Sequence, residues 1–368
     1  MLTMVTQKEQ IRKFFYEKHL DFLTSVPQRH IQEIILSCSF RGNSGKMSEW
    51  EQLSAGHRTT YGHFLAKGKW DDSQLEESQK REIFLAIEKE SKEKSSPIYI
   101  SIDDTVIPKT KPSSKAKRPT EGASWHYSHL EGKVVYGHQI HAVLSSSGGL
   151  SLAYSVKRCC PENGTKIDMT KTAIQSLPET IQPVYVLMDS WYTNPGIFAA
   201  CRKKHFHLIG AMKTNRILYP NGVKMSAADY ASTLKIDQFH SITVKGNEYY
   251  VHRYEGHLNK IAQAVVLLTY PKGSFGKKQS LRVFLCSDMS LSDTAILEHY
   301  THRWSIEVMF RQWKRYLGFK SYMIRSVKAI DRFLLILGLA HFFFTCGLGI
   351  LMPFSNGLKV CRGTLVIL

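Results

Sequence analysis

Two short runs of apolar, largely β-branched residues end in carboxylates, and they constrain the fold of this chain more than any other feature. The first, IYISIDDTVI, follows Pro97 and carries Asp103 and Asp104; the second, PVYVLMDSWY, carries Asp189. Runs of this kind read as central strands that deliver acids at their ends. Further strands are expected at VVYGHQIHAVLSSS and LSLAYSV, joined through Gly148-Gly149, and at FHLIGAMK. TKIDMTKTAIQSL reads as a helix, and another helix starts after Asn194-Pro195. The expected class is α/β, a mixed sheet with flanking helices.

The flanks differ from this centre. Residues 1–95 read as a helical domain expected to bind DNA: QIRKFFYEKHLDFLTSV and HIQEIILSCS place apolar residues three to four apart, and DSQLEESQKREIFLAIEKESKEKS reads as a solvated helix. Between them, MSEWEQLSAGHRTTYGHFLAKGKW suits a helix-turn-helix, with its turn at Ser54-Ala55-Gly56 and with His57, Arg58, Thr59 and Thr60 facing out ahead of Tyr61, Phe64 and Leu65. The expected catalytic core begins over 96–213, is interrupted by a β-rich insertion over 214–290, and resumes over 291–352, leaving a tail over 353–368. A helix is expected from a cap at Ser292 or Asp293 through Glu307 to about Tyr316. Phe333 to Phe354 carries no formal charge and is long enough to cross a bilayer. Gly338, His341, Gly347 and Pro353 interrupt it and no second span appears, so a buried helix closing the core is expected and no membrane partner.

Composition narrows the partner. A hydrophobic fraction of 43% excludes disorder as a general description, and 49 Lys and Arg against 31 Asp and Glu leave a formal charge of +18. Such a charge concentrates polyanions at the surface, which makes nucleic acid the first partner to consider. The seven cysteines show no C-x-x-C spacing, in keeping with reduced thiols in a cytosol, and the N-terminal MLTMVTQKEQIRKFF lacks an apolar signal region.

Acids supplied by two strands and a later helix suit hard metal ions. Mg²⁺ takes oxygen ligands and keeps positions open for water and phosphate. Two such ions about 4 Å apart can activate an attacking oxygen and stabilise the leaving one at phosphorus. Asp104, Asp189 and Glu307 are the expected ligands.

The helix that carries Glu307 reads EHYTHRWSIEVMFRQWKRYLGF. Tyr300, Arg303, Glu307 and Lys314 follow the spacing Y-x₂-R-x₃-E-x₆-K and would line one helix face. A salt-bridged surface helix explains the charges but neither Tyr300 nor the apolar pattern of Trp304, Ile306, Phe310 and Trp313. The spacing resembles the YREK signature of bacterial insertion-sequence DDE transposases. MDSWYTNPG resembles the second motif of that family, in which an aromatic residue follows the acid, and the likeness covers most of residues 97–345. It implies an RNase H-like fold with a large β insertion between the second and third acids. It also implies Asp104 as the first acid, because Thr105 follows it; Asp103, on the opposite face of the strand, is the alternative.

The implied activity is cleavage at the ends of the element, followed by attack of the freed 3′-hydroxyl on target DNA, by way of a hairpin in some members. Tyr300, Arg303 and Lys314 would grip phosphates, and two Mg²⁺ ions, replaceable by Mn²⁺, would be held by the acids. The implied partners are double-stranded DNA, as terminal inverted repeats and as target, and at least a second copy of the chain in the reacting complex, in the nucleoid-associated cytoplasm of a bacterium. The alternatives are a non-catalytic DNA-binding derivative and an RNase H-like nuclease that cuts without joining. Trp125, His126, Tyr127, His129, His138 and His141 lack the spacing of a zinc site. Some of them, with Lys109, Lys111, Lys115, Lys117 and Arg118, are expected instead to approach DNA near the active site.

Overall fold

The computed structural model describes residues 4–39, 46–51, 56–117, 119–128, 131–349 and 351–361. In chain order the helices and strands are α1 (Met4–Glu17), α2 (Ser25–Ser37), α3 (Met47–Glu51), α4 (Arg58–Lys67), α5 (Asp72–Lys94), β1 (Ile98–Pro108), β2 (Ser124–Ser128), β3 (Lys133–Ser147), β4 (Leu150–Arg158), α6 (Lys166–Ser176), β5 (Val184–Met188), α7 (Pro195–Lys203) and β6 (His207–Met212). There follow β7 (Ile217–Leu218), β8 (Met225–Ser226), α8 (Ala227–Thr233), β9 (His240–Val244), β10 (Asn247–Leu258), β11 (Ile261–Pro271), β12 (Arg282–Cys286), α9 (Asp293–Thr301), α10 (Trp304–Tyr316), α11 (Val327–Cys346) and α12 (Phe354–Cys361). The architecture is mixed α/β with parallel and antiparallel strand pairs flanked by helices, consistent with an RNase H-like fold. The chain divides into two compact units: one takes residues 1–96, 104–165 and 305–368, the other 97–103 and 166–304.

In the second unit the strand order is β1-β5-β6-β12-β11-β10-β7-β8, with β9 on β10. β1, β5 and β6 run parallel and β12, β11 and β10 add antiparallel to them. Ile98, Ile100, Ile102, Val186 and Met188 are fully buried or nearly so, as the apolar runs require of central strands. β5 passes through a tight turn into α7, which Asn194 caps by accepting from the backbone N–H groups of Gly196 and Ile197 while Pro195 occupies its first turn. One face of this sheet forms a core of Tyr99, Tyr185, Leu187, Ile209 and Val265 against Ile296 and Leu297 of α9. The stretch expected to be β-rich also holds the short helix α8.

In the first unit β2, β3 and the distal part of β1 lie side by side, and β4 pairs with β3. Gly148 and Gly149, at φ of 57° and 100°, make the β3–β4 turn in a backbone region that side chains resist. α11 is the apolar helix foreseen above; it starts at Val327 rather than Phe333, with Ser326 as its cap, and ends before Gly347. It is buried for most of its length, with Phe342 and Phe343 against Phe14 of α1 and Phe333 against Trp50 of α3. Among the described residues no other helix is long and apolar enough to cross a membrane. The buried Arg332 donates to the carbonyls of Phe64, Leu65, Gly68 and Trp70 and to the Asp72 carboxylate, tying α4 and α5 to α11. His57, Arg58, Thr59 and Thr60 are exposed and Tyr61, Phe64 and Leu65 buried, while Ser54 and Ala55 of the expected turn lie outside the described residues.

Candidate active site

The parallel ladder between β1 and β5 sets Ile98 beside Val184 and Ile102 beside Met188. Continuing that register by one residue brings Asp103 level with Asp189. Side chains alternate along a strand, so Asp103 shares its face with Tyr99 and Ser101, and Asp189 shares its face with Tyr185 and Leu187. Tyr99, Tyr185 and Leu187 belong to the core against which Tyr300 packs. Arg303 donates from Nη1 to Oδ2 of Asp103 at 3.2 Å. Asp103, Asp189, Tyr300 and Arg303 therefore gather on one face of the second unit.

Local backbone geometry fixes Asp189. Its Oδ1 accepts from the N–H groups of Trp191 at 2.8 Å and Tyr192 at 3.2 Å, and its carbonyl accepts the Thr193 hydroxyl at 2.9 Å. A Cβ at Gly210 of β6 would overlap that hydroxyl, so glycine lets the turn sit close to the sheet. Lys166 lies 3.8 Å above the Trp191 ring.

Tyr300 lies edge-on to Phe284, with centroids 4.8 Å apart. Burial pushes its phenol up to about 12; the charges of Asp189 and Asp103 add to the rise, and Arg303 opposes it. The hydroxyl thus stays protonated at neutral pH and can donate a hydrogen bond. Behind it, Tyr99 stacks on His302 at 4.1 Å and hydrogen-bonds His299 at 2.7 Å, while Tyr185 stacks on His299 at 4.6 Å and donates to Asp288 at 3.0 Å. Burial holds both imidazoles below their usual range, so the two rings are uncharged at neutral pH. This stack is absent from the sequence reading above, although its histidines stand at three-residue spacing in HYTHRW.

The expected single helix is two. α9 is capped by Ser292, whose hydroxyl accepts from Ala295 N–H, and it ends at Thr301; α10 begins at Trp304. Between them His302 and Arg303 bond back three residues, to His299 and Tyr300, which tightens the turn. Tyr300 thus belongs to α9, Arg303 to the turn, and Glu307 and Lys314 to α10.

In the first unit, α10 buries Ile306, Met309, Phe310 and Trp313, and Trp313 donates to His341 at 3.1 Å. Glu307 stands in its first turn, where the helix dipole favours a carboxylate. Lys314 donates to the Thr105 hydroxyl at 2.7 Å. Asp104 projects from the other face of β1 to that of Asp103 and Thr105, and its Oδ2 accepts from Gln139 of β3 at 2.6 Å. Among the described residues no three His, Cys, Asp or Glu side chains form a group poised to hold a metal ion.

Several expected DNA contacts serve the fold. Lys109 sits 3.4 Å over the Tyr322 ring and donates to the Tyr322 carbonyl at 2.7 Å, and burial lowers its ammonium to about 8. His138 and His141 are buried, and His138 bonds Tyr322 and the Glu121 carbonyl. Trp125 and Tyr127 remain exposed, and Arg118 and His129 lie outside the described residues.

Comparison with known families finds one match of note: the family described as Transposase DDE domain matches residues 94–343. No curated protein matches the chain. The matched span runs from the end of α5 into α11 and includes Asp103, Asp104, Asp189, Tyr300, Arg303, Glu307 and Lys314.

Proposed function

Since this chain belongs to the DDE-domain transposases, we propose that it cuts the ends of an insertion sequence and joins the freed 3′-hydroxyl to target DNA, with Asp103, Asp189 and Glu307 as its catalytic acids. The observation that carries the proposal is the shared level and face of Asp103 and Asp189 beside Tyr300 and Arg303. Asp103 takes the role first expected of Asp104, whose carboxylate is engaged by Gln139.

The donor set suits divalent magnesium or manganese, because carboxylate oxygens are hard ligands. Asp103, Asp189 and Glu307 would hold the ions. When bound, such ions supply Lewis-acid activation of the attacking oxygen and stabilisation of the leaving one. The remaining work falls to the chain itself. Arg303 and Lys314 offer phosphate-binding cations, the latter oriented by Thr105. Tyr300, protonated throughout the neutral range, donates a hydrogen bond to a phosphate oxygen. The Asp189 turn keeps its carboxylate fixed while the phosphate is positioned.

The test is incubation of DNA carrying the element's inverted repeats with Mg²⁺ or Mn²⁺. Cut and joined, or hairpin-ended, products are expected, and Glu307→Gln should abolish them. Hydrolysed product alone would point to a nuclease, and full activity in Glu307→Gln would refute the site.

A further inference from the structure

The β2–β3 hairpin carries an aromatic face that the fold leaves open. Its register pairs Trp125 with Tyr136 and Tyr127 with Val134, so the four side chains share one face. Trp125 is 58% exposed, Tyr127 54% and Val134 57%. Trp125 stands edge-on to Tyr136 with centroids 5.6 Å apart, so the strip is ordered by its own contacts. The opposite face seats the ribbon through Val135 and Ser128, both buried.

Strand parity says where this face looks. Gln139 of β3 bonds Asp104 of β1, so those two side chains share a face. By alternation Tyr136 and His138 lie on the face of Thr105, the residue that Lys314 engages. The aromatic strip therefore extends the side of the sheet that carries Thr105 and Lys314. A cation borders it: Lys111 lies 5.7 Å over Trp125, and Lys115 and Lys117, exposed like Lys111, follow in the same β1–β2 loop. That border favours a polyanion over a neutral apolar partner. Flat rings do not recognise phosphates, and bases within an intact duplex are already stacked. Rings beside cations fit bases that have left the stack.

We infer that the exposed face of the β2–β3 hairpin is a base-stacking platform, on which Trp125 and Tyr127 take unstacked bases of DNA while Lys111, Lys115 and Lys117 hold its phosphates. The inference rests on the transposase reading above and adds a binding surface to it. A platform that stacks displaced bases lowers the free energy of opening a duplex locally.

The experiment measures binding of the full chain, in metal-free buffer, to fluorescein-labelled DNA with a short unpaired overhang and to a blunt duplex of the same sequence. Each is made both with the element's end and with unrelated sequence, which separates end from target binding. Trp125→Ala/Tyr127→Ala should weaken overhang binding about tenfold to a hundredfold, leave the blunt duplex nearly unaffected, and keep the salt dependence. Trp125→Phe/Tyr127→Phe should restore most of the affinity, which separates stacking from misfolding, and Lys111→Ala should lower the salt slope by about one. Equal losses on both DNAs, or none, would overturn the platform, as would a change in oligomeric state without a change in overhang binding. If Glu307→Gln abolishes cleavage while the overhang preference is unmoved by the aromatic variants, only the platform fails. If the wild-type chain binds neither DNA, the functional reading fails with it.

Discussion

Arg303 closes on Asp103, with Nη1 3.2 Å from Oδ2, from a tight turn between two helices. The contact singles out one of two adjacent acids, and it can be tested directly. Asp103→Asn should lower cleavage by a factor of about a thousand or more, as loss of a metal-binding carboxylate implies when each ~1.4 kcal/mol of barrier is tenfold in rate. Asp104→Asn keeps an oxygen for Gln139 and should retain most activity. Single-turnover rates at saturating Mg²⁺ decide between them, and the reverse ranking would restore Asp104.

Arg303 holds positive charge where a bound ion would add more. Arg303→Ala should therefore strengthen metal binding several-fold while slowing cleavage, because the phosphate loses a cationic partner. Calorimetric titration with Mn²⁺ alongside cleavage rates checks both directions, and weaker metal binding in the variant would contradict the electrostatic account.

The Tyr300 phenol, raised to about 12, stays protonated wherever the enzyme works. Its folded value exceeds that of a free phenol, about 10, so the stability it contributes is complete below that value and is lost as pH climbs towards 12. Tyr300→Phe should cut the cleavage rate by about tenfold to a hundredfold, the worth of one hydrogen bond to a charged group. The shape of the pH–rate profile between about pH 7 and about pH 10 should not change. A high-pH limb that disappears in Tyr300→Phe would assign the tyrosine a proton-transfer role instead.

His341, buried among α11 neighbours and accepting from Trp313, has its imidazolium pushed down to about 3 by burial. The unfolded chain binds that proton near pH 6.5, so this contribution to stability is present above 6.5 and is lost as pH falls towards 3. A loss on the order of a few kcal/mol is expected across that range. Thermal unfolding from neutral to acid pH should show it, and His341→Gln, which keeps an acceptor for Trp313, should flatten the slope. An unchanged slope would place the acid sensitivity elsewhere.

Arg332 gathers four backbone carbonyls and one carboxylate at the junction of α4, α5 and α11. Removing its guanidinium leaves the inward-facing carbonyls without their donor, so Arg332→Ala should cost about 3 to 5 kcal/mol in urea unfolding. A loss below about 1 kcal/mol would mean that water replaces the clamp.

Much of this protein was legible in its sequence. Apolar runs ending in Asp103 or Asp104 and in Asp189 determined two central strands, because only a strand buried on both faces tolerates such composition. The spacing of Tyr300, Arg303, Glu307 and Lys314 identified the chemistry by resemblance, and the charge-free stretch around Phe343 marked a core helix. Tertiary structure alone decided the rest. Which of two adjacent acids shares a face with Tyr300 depends on the register of β1 against β5, and register is set by a neighbour remote in sequence. The break at His302 and Arg303 depends on packing around Tyr99 and Tyr185 more than on any helix breaker in the chain. Lys109, His138 and Trp125 look alike as candidates for DNA contact. Only the fold seats the first two against Tyr322 and leaves Trp125 facing solvent. Composition and periodicity specify local structure and the chemistry a chain can carry, whereas parity, burial and pairing arise from contacts between segments that the sequence does not list side by side.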